Sequence, residues 1–449
     1  MPRKYGTFAE IGAGQEVARW FFRVGGAAGT VAKAISAYDT AVSDALYGPT
    51  DRYVSRQRLQ AMLEHEYAVL LEGLGPRRGD RSAFFVLADT VATRSYSRHE
   101  TGHGWLGIRF QTQAGGDPSD VLLHIYLFDH DPMREREALG IVGVNLAHGA
   151  FYQHSEPARL VESLMDDVER QRVEIDMVKL SGPAFGGFDN RLASLQLVEL
   201  GFTDAVMLTS DGEVVQPSEV LYKRPLLVER GTFRPPTKVT LDVLESARER
   251  FLREPDREGG EPAILLEMTL ASLAGESSVD HRDFVDRAEV LHALGHHVLI
   301  SRSQRNYALV EILLRYTRAR IGIALGVPTL QAIIGDEYED LAGGRLEAIG
   351  RLVKNTVKVY VYPTIEPETG AVVTADTMQV PEPMRHLYQF LLDNRRIEAL
   401  ERFDPSILHI RTRDVLARLQ RGDSSWESAV PEPVATIIKE RGLFGYQAT

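Results

Sequence analysis

The chain has 449 residues, a length that predicts two or three domains, and its 44% hydrophobic and 25% charged residues are typical of a folded globular protein. This composition excludes a disordered tail, a coiled-coil rod and a small disulfide-stapled module. The 63 acidic residues exceed the 51 basic ones and give a formal net charge of −12, so the field of the whole molecule repels nucleic acid and anionic membranes.

The sequence contains no cysteine, which excludes disulfides, thiolate metal sites and cysteine nucleophiles. The amino terminus, MPRKYGTFAEIGAGQEV, has no apolar signal region, and no apolar run approaches the roughly 18 residues of a membrane helix. These features predict a cytoplasmic protein that neither binds nucleic acid nor enters a membrane. A homo-oligomer stays open.

The first half is predicted to begin with helices, because residues 1–75 carry apolar residues at three- and four-residue spacings. Short β-branched or aromatic runs then predict strands. The predicted helices cover residues 16–22, 30–46, 56–74, 158–171 and 192–200, and the strands cover 83–88, 105–110, 121–128, 173–180 and 205–208. The order strand, helix, strand over 173–208 is typical of a βαβ unit.

The second half alternates near-continuous apolar strands with amphipathic helices, which predicts a parallel sheet covered on both faces. The predicted strands cover residues 225–229, 263–268, 297–300, 321–325 and 358–362, and the helices cover 241–251, 284–294, 307–316 and 329–334. Two more helices are expected in the tail, over 384–398 and 414–419, followed by a turn at Pro431–Pro433.

The predicted fold class is therefore α/β with two lobes. Residues 1–222 form a mixed α/β domain with a helical amino-terminal segment. Residues 223–363 form a Rossmann-like parallel-sheet domain, and residues 364–449 form a helical extension. The boundary near Tyr222 is placed where the regular alternation of strands and helices begins.

One bend singles out a candidate site in the second half. The strand that ends at Gly231 leads through Pro235 and Pro236 into a helix. A glycine at such a bend lets the backbone approach a phosphate, and a helix amino terminus supplies oriented amides and a favourable dipole. An ordinary turn between a strand and a helix has the same composition, so both interpretations stay open.

The segment GTFRPPTKVTLDVLESA, residues 231–247, resembles the GTFDPxTxGHLDxxxxA opening of the nucleotidyltransferases that include phosphopantetheine and nicotinate mononucleotide adenylyltransferases. The resemblance covers residues 224–363. It implies that Gly231, Thr232, Phe233, Thr237 and Thr240 line the phosphates of ATP. Val239 and Thr240 stand where the family has glycine and histidine, so Thr240 takes the catalytic position together with Arg234.

A second family element, a serine-rich turn with an arginine ahead of a helix, is similar to residues 300–305. The resemblance implies that Ser301, Arg302 and Arg305 contact the phosphates. It also implies Mg²⁺, which would bridge phosphate oxygens.

Polar residues of the first half are further pocket candidates. Asp129, His130 and Asp131 follow the strand 121–128, at the edge of the sheet where ligands bind in α/β folds. Glu174 and Asp176 alternate along the strand 173–180, and Lys179 follows on the opposite parity as a third catalytic candidate. Solvation of loops and strand edges is the alternative interpretation.

The segment HETGH, residues 99–103, matches the spacing of zinc peptidases, but its glycines and the strand that follows favour a loop over the helix that a zinc site requires. No metal ligands are therefore predicted.

The sequence thus predicts a protein that binds a nucleotide or another phosphorylated small molecule, with ATP, Mg²⁺ and adenylyl transfer as the chemistry that the resemblance implies. Three alternatives stay open: a catalytically silent sensor or scaffold of the same fold, a hydrolase using His, Asp and Glu of the first half, and a structural assembly protein.

Overall fold

The computed structural model of this chain describes residues 3–12, 15–94, 101–254, 260–274, 279–354 and 356–447. The chain divides into two compact units, Met1–Thr203 and Asp204–Thr449. Each unit has its own sheet.

The first unit contains six strands and six helices among the described residues. The strands are β1 (Arg3–Ile11), β2 (Val31–Ile35), β3 (Ser82–Ala92), β4 (Gly102–Phe110), β5 (Ser119–Leu127) and β6 (Val173–Ser181). The helices are α1 (Glu16–Val24), α2 (Thr40–Tyr47), α3 (Arg56–Arg78), α4 (Pro132–Tyr152), α5 (Pro157–Ser163) and α6 (Asn190–Glu199).

The strands of the first unit form one mixed sheet in the order β2-β1-β3-β4-β5-β6. β1 pairs in parallel with β2 and β3, and β3, β4, β5 and β6 follow as antiparallel neighbours. α3 packs against β3 and β4, and α4 packs against β4 and β5. The carboxyl ends of β1, β3 and β5 therefore meet the amino ends of β4 and β6 at one edge.

Two glycines of α4 bring α1 close to it. A Cβ atom on Gly140 would lie 2.6 Å from Nε1 of Trp20, and one on Gly143 would lie 2.3 Å from Cγ2 of Val17. Since Trp20 meets the earlier glycine and Val17 the later one, the two helices run antiparallel. Side chains larger than hydrogen at these positions would push α1 away.

Parts of the first half differ from the prediction. Residues 3–11 and 31–35 form strands, not helices, because short strands with mixed polar and apolar residues carry no clear helical or alternating period. Helix α4 was not predicted, and α5 ends at Ser163 instead of near 171. β6 lies at the edge of the first sheet and β7 in the second, so residues 173–208 are not a βαβ unit.

The second unit contains ten strands and nine helices among its described residues. The strands are β7 (Ala205–Leu208), β8 (Val214–Val215), β9 (Leu226–Arg230), β10 (Ala263–Thr269), β11 (His297–Ser301), β12 (Ile321–Gly326), β13 (Val357–Tyr362), β14 (Thr364–Ile365), β15 (Val372–Val373) and β16 (Ile397–Ala399). The helices are α7 (Pro217–Leu221), α8 (Lys238–Leu252), α9 (His281–Ala293), α10 (Asn306–Tyr316), α11 (Val327–Gly335), α12 (Gly344–Leu352), α13 (Arg385–Asp393), α14 (Thr412–Gln420) and α15 (Glu432–Arg441).

Eight of these strands form a sheet in the order β16-β13-β12-β9-β10-β11-β7-β8. All pairs from β16 to β11 are parallel, and β7 and β8 add an antiparallel edge. The chain builds β9, β10 and β11 outward in one direction and then returns to place β12 on the other side of β9. This reversal makes a topological switch point between β9 and β12, where ligands of doubly wound sheets bind.

The α/β fold class and the parallel sheet of the second half are confirmed. The second unit begins at Asp204, earlier than the predicted boundary near 222, because β7 and β8 belong to its sheet. The tail is not purely helical, since β16 pairs with β13, and Pro431–Pro433 begins α15 instead of a closing turn. Within the described ranges, no helix has the length and apolar character needed to cross a membrane.

Candidate functional site

The bend at Gly231 is filled by an aromatic ring. A Cβ atom at this position would lie 2.8 Å from the ring of Phe233, which is 3% exposed and has a φ of 49°. The amide of Gly231 donates a hydrogen bond to the carbonyl of Glu267 at 3.0 Å. The space and the amide expected to receive a phosphate at Gly231 are therefore both occupied by the protein.

Thr237 and Thr240 cap α8. The amide of Thr237 donates to the hydroxyl of Thr240 at 3.2 Å, and the Thr237 side chain accepts from the Thr240 amide, so the pair forms a capping box. Both residues are buried. The amides of Lys238 and Val239 follow in the first turn, where the helix itself offers no acceptor.

The arginines around this bend are bound to carboxylates. Arg230 donates to Glu267 at 2.6 Å and to the carbonyls of Ser303 and Gln304, each at 2.9 Å. Arg234 forms an ion pair with Asp283 at 2.5 Å, and Asp283 also pairs with Arg287. Arg234 and its neighbours therefore hold the loop together.

Ser301 joins the same network by donating to Glu267 at 2.5 Å. Burial raises the pKa of Glu267, while Arg230 and Ser301 oppose that rise. Of the other two residues from the second family element, Arg302 is exposed at the end of β11 and Arg305 pairs with Asp336. The structure does not gather Arg302 and Arg305 with Arg234.

A different cavity, of about 210 Å³, lies where the first turn of α8 meets the tail. We call it the basic cavity, and its cationic or titratable lining residues are Lys238, His409, Arg411 and Arg418. Ser406, Asp414 and Ser428 add polar groups. Lys238 is the first residue of α8, and Arg411 precedes the first residue of α14, so both helices begin at this cavity.

The tail reaches α8 through specific contacts. Asp242, one turn after Lys238, accepts a hydrogen bond from the amide of Asp404 at 3.0 Å and another from the hydroxyl of Tyr362. Leu408 is 2% exposed and packs in an apolar cluster with residues of β9 and α8. These contacts fix the loop that carries His409 and Arg411.

Helix α14 is anchored by its apolar face, and Val415 of that face also lines the basic cavity. Val415 and Leu419 are buried in a cluster with Trp426. Arg411 donates to the carbonyl of Leu408 at 2.6 Å, which orders the turn before the helix. Sequence reasoning missed Lys238, His409, Arg411 and Arg418. The signal was present in the spacing of Arg411, Asp414 and Arg418, which puts three charges on one face of a helix.

In the first unit, the run from Asp129 to Asp131 serves the start of α4. Asp129 accepts from Arg172 at 2.7 Å, His130 contacts Arg94, and Asp131 accepts from the amide of Met133 at 2.9 Å. The structure gives each of these three residues a partner within the protein.

Glu174 and Asp176 are both buried and bonded. Glu174 accepts from the hydroxyl of Thr203 at 2.7 Å. Asp176 lies 2.6 Å from Nδ1 of His124, and Nε2 of His124 lies 3.4 Å from Nδ1 of His103. The three side chains form a chain across β4, β5 and β6. Burial, and then the neighbouring His124, lower the pKa of His103 to about 4.

The HETGH segment falls partly outside the described residues, which exclude His99 and Glu100. Gly102 and His103 already belong to strand β4 and not to the predicted loop, because the strand begins three residues before the predicted Trp105. Across the residues that are described, no three His, Asp or Glu side chains are placed to hold a metal ion. Lys179 lies half-buried on β6, opposite Leu122 of β5.

No family model matches the chain, and no curated protein matches it. Among solved structures, it is similar to a competence/damage inducible protein, CihA, from Agrobacterium tumefaciens, with 17% identity and a TM-score of 0.21 over 31% of this chain and 79% of that chain. A competence-damaged protein (CinA) superfamily protein from Enterobacter cloacae gives 12% identity and a TM-score of 0.22, over 32% of this chain and 79% of that chain. A competence or damage-inducible protein from Enterobacter asburiae gives 11% identity and a TM-score of 0.24, over 33% and 87%. These similarities do not confirm the resemblance to nucleotidyltransferases.

Proposed function

We propose that the second unit binds a nucleotide or another phosphorylated metabolite and holds its phosphate groups in the basic cavity. The observation that carries the proposal is the position of Lys238, the first residue of the helix that follows the switch-point strand β9, beside Arg411 and Arg418. Parallel sheets bind ligands beyond the carboxyl ends of the strands at such a point.

The electrostatics of the basic cavity suit phosphate. Lys238, Arg411 and Arg418 bring three positive charges in a protein whose net charge is −12, and Asp414 brings one negative charge. The amino ends of α8 and α14 add free amides and favourable dipoles. Guanidinium groups also match the paired oxygens of phosphate.

Adenylyl transfer is the reaction that we propose for this site. An oxygen of the second substrate would attack the α-phosphorus of ATP, and pyrophosphate would leave with the electrons of the broken bond. Lys238, Arg411 and Arg418 would stabilise the charge that develops on the leaving pyrophosphate. Asp414 is the one carboxylate among the lining residues, so Mg²⁺ would be held mainly by phosphate oxygens.

Binding is tested by thermal unfolding with ATP, NAD and inorganic pyrophosphate. A ligand at about 100 times its dissociation constant stabilises the folded state by about 2.7 kcal/mol. Lys238→Gln and Arg418→Gln are each expected to weaken pyrophosphate binding about tenfold, because each removes a charged hydrogen bond.

Arg413→Gln is the matched control, since Arg413 is exposed on the same helix and does not line the basic cavity. Equal binding by all four proteins would reject the basic cavity as the phosphate site.

Transfer is tested separately by pyrophosphate release from ATP and Mg²⁺ with nicotinate mononucleotide or phosphopantetheine as acceptor. Pyrophosphate release that is lost in the Arg418→Gln variant would support adenylyl transfer at the basic cavity. Nucleotide binding without release for any acceptor would favour the silent sensor or scaffold.

A second candidate function is hydrolysis in the first unit, favoured by the chain Asp176–His124–His103. In the neutral tautomer of His124 whose Nδ1–H donates a hydrogen bond to Asp176, Nε2 accepts one from Nδ1–H of His103. This network leaves Nε2 of His103 with its lone pair. The low pKa of His103 keeps the ring neutral at pH 7, so Nε2 is free of a proton, but the same low pKa makes it a weaker base than an ordinary histidine.

The hydrolase is tested with a panel of phosphate and carboxylic esters. His103→Gln and Asp176→Asn are expected to abolish any turnover found, whereas His148→Gln, an exposed histidine of α4, leaves it unchanged. Turnover that survives His103→Gln would remove this candidate.

A further inference from the structure

A second cluster of basic residues lies in the first unit, in a cavity of about 280 Å³ between α1 and α4. We call it the arginine groove. One stripe of α1 supplies Arg19, Trp20 and Arg23, and the first turns of α4 supply Arg134 and Arg136. This volume lies just below the range of about 300–1,000 Å³ typical of small-molecule pockets, so the groove suits a small ligand only.

The four arginines of the groove have no hydrogen-bonded carboxylate within the part of the chain that the structure describes. Arg19 and Arg134 each have a carboxylate oxygen only at 3.6 Å, from Glu16 and Asp129. Such a separation is too long for a hydrogen bond of normal geometry. Two positive side chains therefore lack strong partners here.

The other two arginines, Arg23 and Arg136, form no ion pair with a carboxylate among the described residues. The guanidinium of Arg23 lies 5.4 Å from the ring centre of Trp20. The Nε atom of Arg136 is buried and has no hydrogen-bond partner. A buried donor without an acceptor is costly, because it has lost its water and gained nothing in return.

Other arginines of the same unit are paired closely. Arg58 donates to Asp44 at 2.8 Å, Arg109 to Asp120 at 2.8 Å, and Arg172 to Asp129 at 2.7 Å. Arg172 also donates a hydrogen bond from Nη2 to Oε2 of Glu137, the second acidic residue of the groove, at 3.0 Å. Glu137 is thus already paired outside the groove, whereas Glu16 stays beside Arg19. Four arginines against these two glutamates leave the lining with a net positive charge.

We propose that the arginine groove binds a small, multiply charged organic anion, a phosphate ester or a polycarboxylate, whose oxygens accept from Arg23 and Arg136. Guanidinium groups bind both kinds of anion through paired hydrogen bonds. The indole of Trp20 forms an apolar wall beside them. The site is independent of the basic cavity, since every lining residue belongs to the first unit.

Trp20 provides a direct readout. The chain has three tryptophans, and the other two, Trp105 and Trp426, are 4% and 1% exposed. Titration of the whole protein with pyrophosphate and with citrate, at constant ionic strength, is expected to change the tryptophan emission with at least one of them. A response to pyrophosphate alone assigns a phosphate ligand, and a response to citrate alone assigns a polycarboxylate.

Variants place the response in the groove. Trp20→Phe should remove the emission change, and Arg23→Gln and Arg136→Gln should each raise the dissociation constant about tenfold. Arg159→Gln is the control, because Arg159 is 69% exposed and lies outside the groove. Lys238→Gln with Arg418→Gln should leave the response intact, which separates this site from the basic cavity.

Three results would overturn the proposal: no emission change with either anion, a change that persists in Trp20→Phe, or unaltered affinity in both Arg23→Gln and Arg136→Gln. Arg23 is exposed, so its substitution tests the site even if Arg136→Gln does not fold.

Discussion

Glu10, one of two neighbouring buried carboxyl groups, ties strand β1 to helix α1. Glu10 is fully buried and accepts hydrogen bonds from the amides of Val17 at 2.8 Å and Ala18 at 3.1 Å. Asp89 of the neighbouring strand β3 is also fully buried. Burial, opposed by the two amides, raises the pKa of Glu10 to about 7, and burial next to Glu10 raises that of Asp89 well above its usual value.

This pair predicts how stability changes with pH. A carboxyl whose pKa is higher in the folded state holds its proton longer there than in the unfolded chain, so folding is favoured at low pH. The free energy of unfolding should therefore decrease as the pH rises from about 4.5, the unfolded value of Glu10, through about 7. Denaturant unfolding at pH 5 and pH 8 measures this decrease.

Asp89→Asn removes one of the two charges that would face each other at high pH. The variant should lose less stability than the natural protein between pH 5 and pH 8. Asp80→Asn, at an exposed position before β3, is the control and should behave like the natural protein. An identical decrease in all three proteins would contradict the assignment.

At the scale of elements, the contact between α1 and α4 depends on two glycines. Gly143→Ala should place a methyl group against Val17, whose Cγ2 would be 2.3 Å away. Overpacking of this kind typically costs about 1–3 kcal/mol. We expect a lower melting temperature, measured by calorimetry, and a weaker emission response of Trp20 to anions.

The matching control is Gly73→Ala in α3, where a Cβ atom would meet nothing within 4 Å. This exposed helical position should gain about 0.5–1 kcal/mol, because alanine favours the helix more than glycine does. Equal effects of the two substitutions would show that helix propensity, and not the contact with α1, decides the outcome at Gly143.

The parallel strands β9 to β13 of the second unit were predictable because they are buried runs of Val, Ile and Leu between amphipathic helices. Its short strands β8, β14, β15 and β16 were not predicted. β1 and β2 were not, because residues such as Lys4, Gly6 and Lys33 interrupt them. The basic cavity was equally hidden, since its Lys238 and its Arg411 and Arg418 are far apart in sequence. Contacts made only in the folded chain, such as those of Asp242 with Asp404 and Tyr362 and the packing of Leu408, bring them together.

At the scale of the whole molecule, each unit has its own sheet and its own buried side chains. Chains of residues 1–203 and 204–449, produced separately, should each unfold cooperatively in denaturant. Trp105 reports on the first and Trp426 on the second, since both are buried. If either chain lacks a cooperative transition, the units depend on each other for stability.

The basic cavity has one wall from the segment after β9 and the other from the tail after β16. During synthesis, the segment with Lys238 leaves the ribosome long before the segment with Arg411 and Arg418. The five parallel strands from β9 to β13 are therefore synthesised before these two arginines. A newly made chain would thus acquire its proposed phosphate site only after the segment that carries Arg411 and Arg418 has been synthesised. A protease that cuts the chain after β13 would remove both the edge strand β16 and the tail side of the proposed phosphate site.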